Sequence, residues 1–222
     1  MFNFMSVRTI PKNYRNLTGL ANSQKANDAF FESSLERDFL TMIEFDSCIE
    51  SYDVQPVCIS WVDSNGRKRK YTPDVLLSYI SGRSSFSNSN IVLCEIKYRS
   101  DIQKNWEDLK PKFKAAIRYA KEQGWRFKLF TENEIRTTYM ENARFLQPYL
   151  RDALNESHEE LIFGALHSMR ECSVEQLIKS LFNDKWAQAE ILPSLWWLIA
   201  AKRVNLDLNL PITMSSRIWI GR

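Results

Sequence analysis

Ile91-Val92-Leu93-Cys94-Glu95-Ile96-Lys97 opens with four apolar residues and then sets an isoleucine between two opposite charges. The unbroken apolar run predicts a strand over 91–98, central in its sheet and buried on both faces. Strand side chains alternate, so Glu95 and Lys97 share one face and Ile96 takes the other. Charges directly after such a run are unexpected on a buried face unless they pair or do chemistry. Working upstream, Tyr71-Thr72-Pro73-Asp74 opens a second strand, read over 71–80. It returns from a shorter strand over 57–62 through Asn65-Gly66, a strong two-residue hairpin signal. A neighbouring strand of this kind can set Asp74 beside Glu95 and Lys97. Two carboxylates held together out of water repel, and a divalent cation with oxygen ligands from both relieves the repulsion. Mg²⁺ suits such a site, with Mn²⁺ as the alternative.

Each fragment has a plainer reading. Pro-Asp at a strand start is a common turn, and Glu-x-Lys on a strand is often a solvated pair; their joint placement after the apolar run is what favours chemistry. Phosphodiester cleavage needs charge stabilisation at the phosphoryl oxygens and a deprotonated water, a barrier reduction on the order of 8 to 23 kcal/mol. Metal ions serve both needs, and Lys97 beside them would orient or help deprotonate the water and balance charge.

The remaining pattern places these strands in an α/β domain. Residues 1–30 read as a basic arm carrying Arg8, Lys12, Arg15 and Lys25. A helix follows over 31–45, with Leu35, Phe39, Met42 and Ile43 at helical spacing. Trp106, Leu109, Phe113, Ala116, Ile117 and Ala120 mark another, kinked or restarted at Pro111 and ended before Gly124. A strand over 126–130 and a helix over 132–149 close a catalytic domain assigned to 31–152. Residues 153–222 then show helices over 156–169, 174–182 and 186–203, followed by a short apolar stretch over 204–220. Three helices closed by a two-stranded wing outline a small winged-helix-like domain. Its Ile191–Ala201 run, with Trp196-Trp197, is expected to anchor partners, although adjacent tryptophans are more often core, with one of them pointing away from it.

Glu36 reads two ways. Ser33-Ser34-Leu35-Glu36 fits a capping box, yet the residue borders the apolar face of its helix, from where a carboxylate could complete a metal shell. Glu134 is a weaker acidic candidate whose plainer role is to start a helix. Arg67, Lys68, Arg69 and Lys70 after the hairpin turn, and Lys110, Lys112, Lys114 and Arg118 on the following helix, are candidate phosphate contacts or simply solvated charges.

Composition narrows the class without deciding it. A formal net charge of +3 gives no field over the whole molecule, so any DNA contact must come from local patches. Cys48, Cys58, Cys94 and Cys172 form no Cys-x-x-Cys pair and are expected as free core thiols; two histidines nine residues apart lack zinc spacing. No signal-peptide core or bilayer-length apolar run is present, so the cytoplasm is the expected compartment.

Glu32-Ser33-Ser34-Leu35-Glu36-Arg37-Asp38, Glu44-Phe45-Asp46, Gln55-Pro56, Tyr71-Thr72-Pro73-Asp74 and Glu95-Ile96-Lys97 together closely resemble the TnsA-type endonuclease subunits of bacterial heteromeric transposases. The resemblance covers about residues 5–150 specifically and the C-terminal part more loosely. It implies a restriction-endonuclease-like N-terminal domain of the PD-(D/E)xK kind and a winged-helix-like C-terminal one. It implies cutting at the 5′ transposon ends, with a TnsB-type transposase cutting the 3′ ends and a TnsC-type ATPase as regulator. It also implies an active site of Glu36, Asp74, Glu95 and Lys97, with metal ligands from Glu36, Asp74, Glu95 and the backbone of Ile96. Some members carry Gln where Glu95 stands, which leaves two readings: Glu95 as a lesser ligand than Asp74, or binding at this position through the backbone carbonyl of Ile96. The competing readings are a self-sufficient restriction or repair nuclease and a non-catalytic DNA-binding scaffold on the same fold.

Overall fold

Helix α1 is built from a start signal and one apolar stripe, in a computed structural model that describes residues 19–21, 23–63, 65–83 and 89–221. Ahead of it, strands β1 (Gly19–Leu20) and β2 (Phe30–Phe31) pair antiparallel. The Ser33 hydroxyl then caps α1 (Ser34–Phe45) by accepting from the Glu36 N–H. Leu35, Phe39, Leu40 and Ile43 turn inward from it. Most of the expected basic arm lies outside the described residues, but Lys25 does not serve as an arm cation. Its Nζ donates to the carbonyls of Ile43 (3.0 Å) and Asp46 (2.5 Å), closing the far end of α1 where the helix dipole favours a cation.

The main sheet comprises β3 (Ile49–Val54), β6 (Val75–Tyr79), β7 (Ile91–Ile96) and β8 (Arg126–Phe130), in the order β3-β6-β7-β8. The first three are antiparallel and β8 runs parallel to β7. As its apolar run predicts, β7 is central. Val92, Cys94 and Ile96 pack with α1 in one core; Leu93 faces Ala115 and Ala116 in another. The second core lies under α3 (Trp106–Glu122), which follows the short α2 (Arg99–Lys104) and carries Pro111 within it. Gly124 just beyond α3 takes φ +73°, the region a glycine occupies without steric cost.

The strand expected over 71–80 is two strands. β4 (Ile59–Val62) and β5 (Lys68–Tyr71) form a separate hairpin ladder that ends at Tyr71 and covers the α3 side; Val75 restarts the chain in the main sheet. Pro73, with no N–H to give a ladder, stands in the break, and Asp74 follows it. The hairpin forms where expected, but its ladder closes at Val62 and Lys68, so the connection is residues 63–67 rather than two residues, with Gly66 at φ +74°. β3 was not anticipated: a register shift between Ile49 and Ser51 breaks its period-two pattern. After β8 come α4 (Glu132–Ile135) and α5 (Thr138–Leu146), where one helix was expected.

The chain divides into two compact units, 1–136 and 137–222, so α5 belongs to the second and the boundary lies earlier than the expected 152. The cause is packing: α5 and the 3₁₀ turn after it lie against the long α8 of their own unit. The second unit continues with α6 (Glu156–Met169), β9 (Glu171–Ser173), α7 (Val174–Leu181), α8 (Lys185–Ala200) and β10 (Arg217–Trp219). The three expected helices form, but within 204–220 the expected strand pair is a single antiparallel bridge, Asn205 to Trp219, and the longer partner of β10 is β9, between α6 and α7. Nor is Ile191–Ala201 an exposed anchor. Ile191, Leu195, Trp196, Leu198 and Ile199 are buried, and Trp197 alone of the pair turns partly outward, its Nε1–H donating to the Asp152 carbonyl at 3.2 Å. The cysteines are free, but only Cys94 and Cys172 are buried; Cys48 is half-buried and Cys58 exposed. No helix among the described residues is long and apolar enough to cross a membrane.

Candidate active site

Asp74 is fixed on three sides by groups the fold brings to the end of the sheet. Its N–H donates to the Cys94 carbonyl of β7 (3.1 Å) and its own carbonyl accepts from the Gln55 N–H just past β3 (2.8 Å). Its side-chain Oδ2 accepts from the Ile96 N–H at 2.7 Å. The last bond stands where a ladder bond would be, so the carboxylate occupies the end of the β6–β7 pairing. Burial first, then the charges of Glu95 and Glu36, push the Asp74 carboxyl well above the ordinary carboxylate range, against Lys97 and the Ile96 N–H, which pull it down.

Glu95 lies on the expected face of β7 with only 2% of its surface exposed, and both its oxygens are engaged. Lys97 Nζ pairs with Oε1 at 2.8 Å, and the buried hydroxyl of Tyr71 donates to Oε2 at 2.6 Å. Burial alone would lower the Lys97 pKa, but Glu95, Asp74 and Glu36 outweigh it and hold the ammonium above its usual value. Glu36 serves the start of its helix, though not as a capping box. Its Oε1 accepts from the Ser33 hydroxyl (3.0 Å) and its Oε2 from the Glu32 N–H (2.7 Å), one residue before the position that a capping box uses. Its carboxyl is nonetheless pushed upward, chiefly by burial, and its charge reaches Lys97 and Asp74. Glu36, Ile96 and Lys97 line a cavity of about 490 Å³ whose other walls include Tyr98, Asp108 and Lys112.

Glu95 and Lys97 therefore touch, and the charges of Asp74 and Glu36 reach them, but the three acids do not close on one point. Among the described residues no three acidic, histidine or cysteine side chains already converge as a metal-holding group. The donors fit an oxygen-loving cation unequally: Asp74 carries repulsion that a cation relieves, whereas Glu95 must first release Lys97 or Tyr71, and Glu36 its helix start. Of the basic candidates, Lys112 reaches the cavity wall. Lys110, Lys114 and Arg118 are exposed on α3, and Arg67, Lys68 and Lys70 are exposed on the hairpin. Arg69 is paired with Asp63 at 2.9 Å. Glu134 takes its plainer role, forming a capping box with Thr131 whose hydroxyl bond lowers its carboxyl pKa. Sequence reasoning gave no role to Tyr71 or Gln55; both look like ordinary core or turn residues until the strand break puts them against Glu95 and Asp74.

Two family models match the chain. One described as TnsA-like endonuclease N terminal matches residues 46–132, and one described as TnsA endonuclease C terminal matches residues 134–208. Asp74, Glu95 and Lys97 fall inside the first match, Glu36 ahead of it, and the seam between the two lies close to the boundary of the compact units. No curated protein matches the chain significantly. With matches that run in family order across both units, the chain belongs to the TnsA-type endonucleases.

Proposed function

We propose that this chain is the nuclease subunit of a TnsA/TnsB-type transposase, cutting the 5′ ends of the transposon by metal-dependent hydrolysis during cut-and-paste transposition. The observation that carries the proposal is the gathering of Asp74 and Glu95 about the single ammonium of Lys97 at the end of β7. Asp74 would hold the ion with the carbonyl of Ile96, while Glu95 and Glu36 complete its surroundings. When bound, Mg²⁺ or Mn²⁺, as one or two ions, supplies charge stabilisation at the phosphoryl oxygens and a lowered pKa for the attacking water. Lys97 acts as a cation: held protonated by the carboxylates around it, its Nζ donates to a phosphoryl oxygen or orients the water rather than taking its proton. Tyr71 holds Glu95 in place from the protein side, and Lys112 on the cavity wall offers a phosphate contact.

The second unit is the docking part of this reading, for the TnsB-type transposase and the TnsC-type ATPase. Its support is Trp186, 84% exposed at the start of α8, together with the exposed Leu161 and Met169 of α6. The test follows the products of transposition. A partner that exposes the 3′ ends joins them to target DNA without this site, so Asp74→Ala leaves the 5′ strands uncut and the element attached to its donor. Replication then yields fused donor-target cointegrates, countable by long-read sequencing. A background of mostly simple insertions shows that another nuclease cuts the 5′ strands.

A further inference from the structure

We infer that Gln55 is a positioning residue that sets the Asp74 and Glu36 segments at a fixed separation; the inference rests on the metal-site reading above. Gln55 follows β3 with φ +50°, a conformation that favours glycine, and the residue before a proline is normally driven to extended backbone. It is also 7% exposed. Its N–H donates to the Asp74 carbonyl at 2.8 Å, extending the β3–β6 ladder to the acid itself. Its side-chain Nε2 donates to Glu32 Oε1 at 3.3 Å, and the Glu32 N–H in turn donates to Glu36 Oε2 at 2.7 Å.

The orientation of the amide is dictated by charge, since the Glu32 carboxylate can only accept. That leaves Gln55 Oε1 buried and without a hydrogen-bond partner among the described residues. Two local penalties thus fall on one residue, and a glycine removes both. What glycine cannot do is bridge to Glu32, so the side chain is accounted for by the link it makes between two acid-bearing segments. Such supporting bonds tune metal sites by fixing where their donors point.

The test uses the full chain and three readouts: thermal midpoint, Mn²⁺ affinity by calorimetry, and 5′-strand cleavage with the transposase partner supplied. Gln55→Gly is expected to keep the midpoint, because relief of the strained φ offsets the lost bond, while Mn²⁺ affinity and cleavage fall roughly tenfold. Gln55→Glu sets two carboxylates together and loses at least as much. Adding Glu32→Gln to it restores a donor-acceptor pair with the roles exchanged and is expected to recover most of the loss. A purely structural bridge lowers the midpoint and leaves the Mn²⁺ affinity of the folded protein alone, which overturns the inference, as does an exchange pair that recovers nothing. If wild-type protein neither binds Mn²⁺ nor cuts, the metal-site reading itself fails and the inference goes with it; a failure confined to the variants indicts Gln55 only.

Discussion

Replacing Tyr71 by phenylalanine removes one oxygen from the core and nothing else. The ring stays in the apolar cluster with Val57, Ile59, Leu76 and Leu93, so no cavity is made. What is lost is a 2.6 Å hydrogen bond to a carboxylate that is 2% exposed, where water cannot readily replace the phenol. A hydrogen bond to a charged group contributes about 1.5–3 kcal/mol. The low end applies if Lys97 compensates by moving closer between the two oxygens, the high end if Oε2 is left bare. At roughly 2–4 °C per kcal/mol for a chain of this size, the midpoint should fall by roughly 3–12 °C. Urea unfolding should show a lower midpoint with an unchanged slope, because the surface exposed on unfolding is the same. Amide exchange at β6 and β7 localises the loss to the first unit. Cleavage should fall about 10- to 100-fold, the usual cost of losing a bond that orients a site carboxylate. A Tyr71→Phe protein with wild-type stability and wild-type cleavage refutes the reasoning, since it means Glu95 does not depend on the phenol.

Asp74 supplies a pH prediction. Its folded pKa is raised, so its contribution is fully present below the unfolded value of about 3.9 and is lost as pH rises through the folded value. Asp74→Asn should therefore match or exceed wild-type stability at neutral pH in EDTA, with the gap closing on acidification in urea titrations from pH 4 to 8; a less stable variant at pH 7 contradicts this. Glu36→Gln keeps oxygen acceptance for the helix start but removes the charge, so the midpoint should hold to within about 1 kcal/mol while metal affinity falls; equal losses in both would make Glu36 a cap alone. Lys97→Ala should abolish cleavage yet retain Mn²⁺ binding in calorimetry, at a stability cost of about 3 kcal/mol or less given the buried Glu95 left behind. Cleavage at the normal rate by that variant removes Lys97 from the site.

The sheet centre was legible because β7 is apolar on both faces, and the same run marked Glu95 and Lys97 as out of place. The helices of the second unit were legible from periodicity to within a few residues. β3 was not, because its register shift erases the alternation that announces a half-buried strand. The split between β5 and β6 was hidden for a different reason: Pro73 is compatible with a strand start, and only the pairing partners show that the two halves belong to different ladders. The roles of Tyr71 and Gln55 depend on contacts with Glu95, Asp74 and Glu32, distant in the chain, which no local pattern encodes. Glu36 carried its helix-start signal from the sequence, and its bonds to Ser33 and Glu32 hold the carboxylate rigidly, which does not conflict with the metal-donor role proposed for it.

On the proposed metal-site reading, the charge balance of these side chains also bears on how many ions they would take. Fully ionised, Glu36, Asp74 and Glu95 against Lys97 leave three negative charges and one positive, a net −2. In the metal-free protein burial holds the protons of Asp74 and Glu36 to higher pH than usual, and for Asp74 the charges of Glu95 and Glu36 add to it. One divalent ion neutralises the set, and a second would overcharge it until the scissile phosphate brings further negative charge. We therefore expect the DNA-free chain to take up one Mn²⁺ per molecule and to release protons as it does so, because a protonated carboxyl is not a ligand. Proton release shows in calorimetry as a binding enthalpy that changes with the ionisation enthalpy of the buffer, and it should shrink as pH rises. A second ion should appear only with a DNA end present. Two ions bound tightly without DNA, or uptake with no proton release near neutral pH, would mean that these four side chains do not form one charge-coupled centre.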